Sequence, residues 1–508
     1  MSLAGEQKQK LGGFNRNIFF ATTSCIVGSS FQYGYNIAVL NEPQEIIKGF
    51  INESYEAINN ETIPEELLTN TWAIASSGFV IGAMAGALIA GPVSGRYGSK
   101  KALLANNIFA LLASGFSGSS KFLGLVEMLI VGRLLVGINS GFNCVVMPMY
   151  VTEISPVAIR GILGTGHQIG IGISVIMANA FGFTKVLGTE EKWPFLFAVI
   201  AALAVFQLIT LPWCPESPRF LMITKNNEKD AESALKWLRR SSDVHDDINE
   251  MKIERRELQS MKKFTVLDLM RNSDLRGPMI ICIMIHLSQQ LCGVSAFASY
   301  SNSIFLQILH SEELSTYLVL GLSVQAFIVC DVFTVFVERL GRRMLHMAGL
   351  LGMAISLALI TIGLIYQNQI DWLKYGSLIG VFGFVFCFNI GPGSIPWFIV
   401  AEMFTQQSKS SAMTISVFFN FLSASIVSFV FPDIQKHIKE YSFVPFIGLI
   451  VLFLIYFYFK LPETKGKTIE EIADQFRSKK TKSMLKLIES DAVSNSIDYS
   501  TETLSTQL

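Results

Sequence analysis

Two adjacent glutamines, Gln289 and Gln290, stand in an apolar stretch from His286 to Tyr300, where hydrocarbon-compatible side chains are expected. Each amide has two donors and two acceptor lone pairs on a neutral group, so the pair suits an uncharged ligand rich in hydroxyls, such as a sugar. The alternative is a hydrogen bond between membrane helices, which often contributes only about 0.6 kcal/mol. Two adjacent amides with several serines close by favour the ligand-binding interpretation.

The elements that must position these amides are membrane helices. The chain is 51% hydrophobic and 16% charged, and its apolar residues come in blocks of about 20, the length of a helix that spans a bilayer core. The 40 basic residues balance 40 acidic ones, and no basic cluster indicates a nucleic-acid partner. Seven scattered cysteines predict no disulfide framework, metal site or cofactor. The sequence predicts an all-α polytopic protein in a lipid bilayer.

Twelve spans are predicted, with one large polar interruption after the sixth. The spans are 17–40, 71–91, 102–119, 127–150, 161–182, 193–213, 278–305, 314–337, 344–367, 372–400, 411–431 and 443–460. The predicted organisation is an N-terminal tail (1–16), a six-helix bundle (17–213) with an outer loop (41–70), a helical linker (214–277), a second bundle (278–460) and a tail (461–508).

Basic clusters at 96–101 and 339–343 follow the second and eighth spans. The positive-inside rule then places these clusters, the linker and both termini in the cytoplasm. Two N-x-S/T sequons, at Asn52 and Asn60, fall in the loop that this topology places outside, where glycosylation occurs. The N-terminus has no short apolar region with a small-residue cleavage site, so we expect the first span to stay as a signal anchor.

The two halves repeat one another at offsets between 243 and 249 residues. Repeats of six spans at a nearly constant offset are typical of duplicated transporter halves. The matched positions are 96–100 with 339–343, 153 with 402, 160 with 409, and 215–216 with 462–463.

Five ordered motifs carry a family resemblance: GRLLVG at 132–137, PESPRFL at 215–221, QQL at 289–291, GPGSIPWFIVAEMF at 391–404 and LPETKGKT at 461–468. The chain resembles the sugar porters of the major facilitator superfamily, and more narrowly the animal facilitative hexose transporters. The resemblance implies twelve helices in two pseudo-symmetric bundles, a midplane sugar site, alternating access and a place in the plasma membrane. SSFQYGYN at 29–36 is similar to the fructose-transporting branch, whereas SQQL is similar to the glucose-transporting branch, so the preferred hexose stays open.

The resemblance also implies which residues bind the sugar. Those that match the family are Gln168, Gln289, Gln290, Trp397 and Asn420. Ser295 and Asn389 are candidates that stand where the glucose transporters have Asn and Glu. Ala326 and Ala424 also replace Asn and retain no side-chain hydrogen bond, so the wall nearest the second bundle is predicted to be less polar. That wall would weaken glucose binding or admit another hexose, unless water fills the gap.

Gly391, Pro392, Gly393 and Pro396 predict a broken or kinked helix beside Trp397, which is tolerable where irregular backbone lines a cavity. The indole is interpreted as a lid over one face of the sugar, with plain packing as the alternative.

Charged residues cluster at predicted cytoplasmic helix ends, where an ion needs the interface or a partner. We interpret them as a gate that locks the two bundles when the site faces outward and opens when it faces inward; simple interfacial anchoring is the alternative. Ser99 replaces an arginine of the family pattern, which should weaken one contact. The gate candidates are Arg133, Glu153, Arg160, Glu216, Arg219, Glu338, Arg342, Glu402, Lys409 and Glu463.

The first span has Asn36 where proton-coupled sugar porters have Asp, and an amide cannot gain or lose a proton. Because proton coupling needs a titrating group in the membrane, the sequence predicts a uniporter, with Asp331 as the one rival carboxylate. A proton-coupled symporter and a non-transporting sugar sensor remain alternatives. An enzyme is disfavoured, since His167 and His286 have no catalytic partners in the sequence pattern.

The C-terminus, Ser505 to Leu508, has a hydroxyl residue two positions before a terminal Leu. This pattern suits strand addition to the groove of a PDZ-domain protein. A disordered tail without a partner is the alternative.

Overall fold

The chain is helical throughout the part described by the computed structural model. That part comprises residues 14–156, 159–260, 266–297, 305–306, 309, 311–366, 369–370, 372–404, 406–465, 467 and 469–476. Helix α1 has three consecutive segments, Arg16–Cys25, a π turn at Ile26–Ser30, and Phe31–Ala38. The first half continues with α2 (Gln44–Asn59), α3 (Glu65–Tyr97), α4 (Ser99–Leu123), α5 (Val126–Ile154), α6 (Arg160–Phe181) and α7 (Phe195–Thr210).

The linker and the second half follow the same helical pattern. The helices are α8 (Glu228–Arg239), α9 (His245–Ser260), α10 (Val266–Arg271), α11 (Ser273–Leu291), α12 (Glu312–Leu340), α13 (Arg342–Tyr366), α14 (Leu373–Ile390), α15 (Ile395–Met403), α16 (Gln406–Ile438), α17 (Val444–Lys460) and α18 (Ile469–Phe476). Within the described ranges, nine helices are long and apolar enough to cross a membrane. Helices α1, α6 and α17 supply the other three predicted spans, so the twelve-helix prediction is confirmed.

Close backbone contact holds α3 against α5 in the first bundle. Gly137 and Gly141 on α5 lie against the carbonyl oxygens of Phe79 and Ala83, and Gly86 on α3 lies against α5 in the same way. A Cβ at any of these glycines would overlap a backbone oxygen. Small residues allow this approach, which membrane helices use because hydrophobic burial does not drive their association in lipid.

Two helices of the second bundle are interrupted beside the predicted site. Helix α11 ends at Leu291, and Gly293 follows with a φ of +91°. Helix α14 ends at Ile390 and α15 begins at Ile395, so the predicted break before Trp397 is confirmed. The break exposes backbone carbonyl groups that no helical N–H satisfies.

The two bundles meet along α3 with α16 and along α6 with α12. Ala83 and Ala87 of α3 pack with Val417 and Phe421 of α16 in one apolar cluster. The linker is helical, as predicted, and the expected apolar face of α8 is buried: Ala231, Ala234, Leu235 and Leu238.

Candidate substrate site and gates

A cavity of about 240 Å³ lies between the two bundles, where α1, α6, α12 and α14 face one another. Two predicted binding residues line it, Gln168 on α6 and Asn389 on α14. Gln168 hydrogen-bonds the Cys330 side chain across the cavity. The Asn389 amide nitrogen donates to the Val385 carbonyl at 2.8 Å, which leaves its amide oxygen for another partner.

Gln289 is buried and is not among the described residues that line the cavity. Its amide nitrogen donates to the carbonyl oxygens of Pro392 and Gly393, at 2.8 and 2.7 Å. Its amide oxygen accepts from Asn420 at 2.6 Å. Both donors are therefore used to satisfy the break between α14 and α15, and Gln289 positions the site more than it offers groups to a ligand.

Gln290 keeps free hydrogen-bonding capacity. Its amide nitrogen donates to the Asn420 amide oxygen at 3.1 Å, and its amide oxygen accepts from the Ser295 hydroxyl at 2.8 Å. One N–H and one lone pair remain, and the side chain is only half-buried. Gln290 is thus the member of the pair with hydrogen-bonding capacity left for a ligand, while Ser295 and the buried Asn420 fix its orientation. The described residues that line the cavity do not include Gln290, Ser295, Trp397 or Asn420.

Trp397 and Asn420 share a neighbour that sequence reasoning missed. The His286 ring packs edge-on against the Trp397 indole, with centroids 5.4 Å apart. The His286 Nδ1 lies 3.2 Å from the Asn420 amide nitrogen. His286 precedes Gln289 and Gln290 by three and four residues, the spacing of one helical face, and that spacing was the signal that could have found it.

The cavity wall formed by α12 combines apolar side chains with Ser323, Cys330 and Asp331, so it is more polar than the alanine replacements alone predicted. Ala326 lines the cavity and offers no hydrogen bond. Ala424 is buried on α16 and does not reach the cavity. In the part of the chain that the structure describes, no group of three or more His, Cys, Asp or Glu side chains is placed to hold a metal ion.

In each half, a carboxylate next to the basic cluster caps the N-terminus of a helix. Glu216 accepts two backbone N–H groups in the first turn of α4, at 2.9 and 3.3 Å. Glu463 does the same for α13, at 2.9 and 3.1 Å. The preceding glycines, Gly98 and Gly341, have φ values of +99° and +94°, and a Cβ on either would press on the capping carboxylate. Carboxylates favour helix N-termini because unpaired N–H groups and the helix dipole meet there.

The ion pairs beside these caps differ between the halves. Arg342 pairs with Glu402 at 2.8 Å, and Glu402 also accepts from the Thr464 hydroxyl at 2.5 Å. At the matching place, Ser99 only donates to Glu153, at 3.4 Å. The weaker contact expected from Ser99 is therefore seen.

Two of the remaining gate candidates, Arg219 and Lys409, have weaker ionic contacts than Arg342 and Glu402. Arg219 pairs with Glu254 of the linker helix α9 at 3.4 Å. Lys409 is half-buried and makes no ion pair with a described residue. The side chains of Arg160 and Glu338 lie outside the described residues. The ion pairs found among the described gate candidates stay within one bundle or reach the linker, and none joins the two bundles.

Arg133 does not belong with this group, and its assignment to the cytoplasmic gate was wrong. It lies seven residues from the start of α5 and 21 from its end, which places it about 30 Å from the helix ends near Glu216. It is buried, donates to the Asn36 carbonyl at 3.3 Å, and stacks over Phe79 at 4.8 Å. The sequence motif gave its helix but not the direction in which that helix runs.

Contacts between the bundles occur at the opposite end of the molecule, here called the outer end and defined by Glu42, Asn179, Lys185 and the first turns of α12. Asn179 donates to Ser323 at 2.7 Å. Lys185 pairs with Glu313 at 2.7 Å. Glu42 hydrogen-bonds Thr316, and its second carboxylate oxygen is buried without a partner.

The two sequons differ in accessibility. Asn60 is exposed and ends α2 in the left-handed conformation. Asn52 lies within α2, where its side chain donates to Glu56 at 3.2 Å and accepts from the Ile63 N–H at 3.1 Å. The predicted PDZ-binding residues, Ser505 to Leu508, lie outside the described residues.

Fold and site together define a membrane transporter of two six-helix bundles with a central cavity. Comparisons with known proteins agree. The family model "Sugar (and other) transporter" matches residues 21–476. The facilitated glucose transporter member 1 of Gallus gallus is 42% identical over 462 residues, covering 91% of this chain and 93% of that protein. Member 3 of Homo sapiens is 40% identical over 459 residues, covering 90% and 92%.

Among solved structures, the inward-open xylose transporter XylE from E. coli superposes with a TM-score of 0.73 at 23% identity, covering 91% of this chain and 100% of that one. This likeness establishes the fold. The chain belongs to the sugar transporter family, as the family match and the similarity to the facilitated glucose transporters show.

Proposed function

We propose that this protein is a facilitative hexose transporter, a uniporter that carries glucose, fructose or both across the plasma membrane with both termini in the cytoplasm. The observations that carry the proposal are the central cavity between the bundles, lined by Gln168 and Asn389, and the hydrogen-bonded amide cluster of Gln289, Gln290 and Asn420 in the second bundle. Neutral amides match sugar hydroxyls in both donors and acceptors. The relatives named as facilitated glucose transporters support the same substrate class.

We assign direct hydrogen bonds to the sugar to Gln168, Gln290 and Asn389. Gln289, Ser295 and the buried Asn420 hold Gln290 in place. A neutral hydrogen bond contributes about 0.5 to 1.5 kcal/mol, and a millimolar affinity amounts to only about 4 kcal/mol in all. A few such bonds are therefore enough for a sugar that must also be released.

Asn36 supports uniport. Its carboxamide nitrogen donates to the Gln32 carbonyl at 2.7 Å, and Arg133 contacts its backbone oxygen rather than a carboxylate. Since no charge appears or disappears at this pair, proton binding there cannot bias the two access states.

The distribution of contacts supports alternating access. The outer end is closed by contacts between the bundles, whereas the described gate pairs at the other end stay within their own bundle or reach the linker. This arrangement fits a site open toward the cytoplasm. Outward opening requires the outer contacts to break and new contacts to form between the bundles at the cytoplasmic end.

Uptake of labelled glucose and fructose into vesicles that contain only this protein tests the proposal. We expect equilibration in both directions, no accumulation against a gradient and no effect of a protonophore. Gln290→Ala should raise the half-saturating concentration of the transported hexose about tenfold, while the exposed-surface variant Gln369→Ala should leave it unchanged. Uphill accumulation driven by a pH gradient would contradict uniport, and an unchanged Gln290→Ala would contradict the site.

Two smaller proposals accompany the main one. Asn60 is the better glycan acceptor, because Asn52 is held in α2 by both ends of its amide. The C-terminal Leu508 remains a predicted ligand for a PDZ-domain protein. Loss of the glycan in Asn60→Gln but not in Asn52→Gln checks the first; loss of PDZ capture after deletion of Leu508 checks the second.

A further inference from the structure

The turn between the linker helices α8 and α9 presents two exposed serines, Ser241 and Ser242, directly after two arginines. Arg240 ends α8 in the left-handed conformation, with a φ of +51°, and is itself exposed. Leu238 before the turn and Val244 after it are both buried. The chain is therefore anchored on each side of the turn, and the turn itself is left in solvent.

The two serines of this turn differ in their contacts. The Ser241 hydroxyl donates to the Asp243 carbonyl and accepts from the Asp243 N–H, both at 3.2 Å. Among the described residues, the Ser242 hydroxyl has no hydrogen-bond partner. Arg239 and Arg240 stand three and two residues before Ser242. Protein kinases with acidic subsites select serines that follow arginines in this way, because a guanidinium pairs with carboxylates in a fixed geometry.

The turn directly follows the point at which the linker is attached to the first bundle. Three hydrogen bonds form this attachment, here called the linker tether: Asn15 Nδ2 to the Leu238 carbonyl at 2.8 Å, Asn17 Nδ2 to the Trp237 carbonyl at 2.7 Å, and Arg239 Nη1 to the Ile154 carbonyl at 2.9 Å. The accepting carbonyls lie in the last turns of α8 and α5, where no helical N–H is available. Because the last linker helix, α10, packs against α11 and α16, the linker joins the two bundles.

Arg239 is the charged member of the linker tether. Its Nε donates to the Asp247 carboxylate, in the first turn of α9, at 3.1 Å, and its side chain is only 9% exposed. A phosphate on Ser242 would bring a charge of about −1.5 to −2 next to this arginine, against the single charge of the carboxylate. It would compete with Asp247 for the guanidinium and would repel Asp247. Since Arg239 is nearly buried, it can reach the phosphate only by leaving the Ile154 carbonyl.

We propose that Ser242 is phosphorylated by an arginine-directed serine/threonine kinase, and that the phosphate loosens the linker tether. The inference goes beyond hexose transport and rests only on the proposed cytoplasmic side of the linker, where kinases and ATP are present. The Ser242 hydroxyl oxygen forms a bond to the γ-phosphorus of ATP, and the bond from that phosphorus to the β,γ-bridging oxygen breaks. ADP leaves, and the hydroxyl proton passes to the base of the kinase and then to solvent.

The first test uses the full-length protein in detergent, where both of its faces are accessible, with ATP and a purified kinase that requires arginine two and three residues before its target serine. Mass spectrometry locates the phosphate. The variants are Ser242→Ala, Ser241→Ala, Arg240→Gln and Ser233→Ala. Ser233 is the matched control, because it is an exposed serine of α8 that follows acidic residues, Asp230 and Glu232, instead of arginines.

Wild type, Ser241→Ala and Ser233→Ala should all carry phosphate on Ser242, and Ser242→Ala should carry none in the turn. Arg240→Gln should slow the incorporation about tenfold, because it removes one charge-assisted contact with the kinase. Arg240 makes no bond of the linker tether, so this variant leaves the fold of the linker intact. Absence of phosphate from Ser242, or an equal rate in Arg240→Gln, would overturn the modification site.

Hydrogen exchange of backbone amides measures the linker tether. The last turn of α8 should exchange about tenfold faster in the phosphorylated protein than in the same sample after phosphatase treatment, because that turn opens when the tether is lost. Arg239→Gln, which removes the charged bond, should increase exchange similarly without phosphate. Ser242→Ala carried through the same steps should show no change.

Exchange that is equal before and after phosphatase treatment would overturn the effect on the tether, and so would unchanged exchange in Arg239→Gln. Neither experiment measures sugar movement, so their failure would leave the proposed function standing. Absence of hexose transport in the wild type would contradict the proposed function alone.

Discussion

The two ends of the bundle interface are built differently. At the outer end, polar side chains of one bundle reach the other, as Asn179 does to Ser323 and Lys185 to Glu313. At the opposite end, carboxylates such as Glu216 and Glu463 cap helices inside their own bundle. Charged motifs that repeat in both halves therefore stabilise each half, and the contacts that close the molecule come from residues outside those repeats.

This difference has a physical basis. A carboxylate that accepts backbone N–H groups at a helix start is held by bonds that do not change when bundles rock against one another. A contact between bundles must break in every transport cycle, so a few weak bonds suit it better than a buried ion-pair network.

Removing a cap gives the largest expected effect. Glu463 accepts four backbone N–H groups at 2.9 to 3.1 Å, so Glu463→Ala should lower the free energy of unfolding by about 2 kcal/mol. The measurement is thermal unfolding in detergent, with Glu463→Gln as the milder control. If Glu463 instead acted only as a gate between bundles, stability would stay at the wild-type value while transport changed.

Closure of the outer end should depend on pH. Burial raises the pKa of Glu42 from 4.5 to about 7, while the bond from Thr316 opposes this shift. The closed outer end thus holds a proton that an opened, hydrated Glu42 would release. Closure is most favoured below pH 4.5 and loses that advantage as the pH rises to about 7.

Outward opening should therefore become roughly twentyfold more favourable between pH 5.5 and 7.5, by linkage. The measurement is the half-saturating concentration of external hexose at each pH. Glu42→Gln, which cannot titrate, should remove the dependence, and a persisting dependence in that variant would assign it to another group.

The neutral bond at the outer end should matter less. Replacing both Asn179 and Ser323 with Ala removes a contact of 2.7 Å without leaving either partner unpaired, so the outward-open population should rise about threefold. Labelling of a cysteine introduced at Ala326, in the cavity wall, by an impermeant thiol reagent from outside measures that population, with the native Cys330 of the same wall replaced by Ala in every variant. Labelling no faster than in the parent would show that this bond does not hold the outer end closed.

The smallest effect is expected from restoring the missing arginine. Ser99→Arg places a guanidinium near Glu153 as Arg342 stands near Glu402, and should add about 0.5 kcal/mol of stability as a partly exposed ion pair. Thermal unfolding of Ser99→Arg beside Ser99→Lys checks it. A fall in stability for Arg alone would mean that the first half has no room for the pair.

Most of the fold could be predicted from the sequence because membrane helices are recognisable by their length and hydropathy. The twelve spans and the break before Trp397 were readable from apolar blocks and from Gly391 and Pro392. The π turn at Ile26–Ser30 was not, since no residue type in it demands that geometry. Arg133 was assigned to the wrong end of its helix because a sequence motif does not say which end of the helix faces the cytoplasm.

The site was only partly readable. Sequence patterns identify amides but not their partners, so Gln289 and Gln290 looked equivalent. The structure separates them, because only Gln289 faces the carbonyls freed at Pro392 and Gly393. Glu42, Asn179 and Ser323 were missed for a similar reason: isolated polar residues near helix ends acquire meaning only when two bundles bring them together.

Cross-linking of the outer end tests the account most directly. Cysteines replacing Asn179 and Ser323 would be joined by a short reducible bifunctional thiol reagent in vesicles that contain only this protein, with each single-cysteine variant treated identically. If sugar crosses because the outer end opens, joining the two residues should abolish hexose exchange, and reduction should restore it. Full exchange while the cross-link is intact would contradict alternating access through this end.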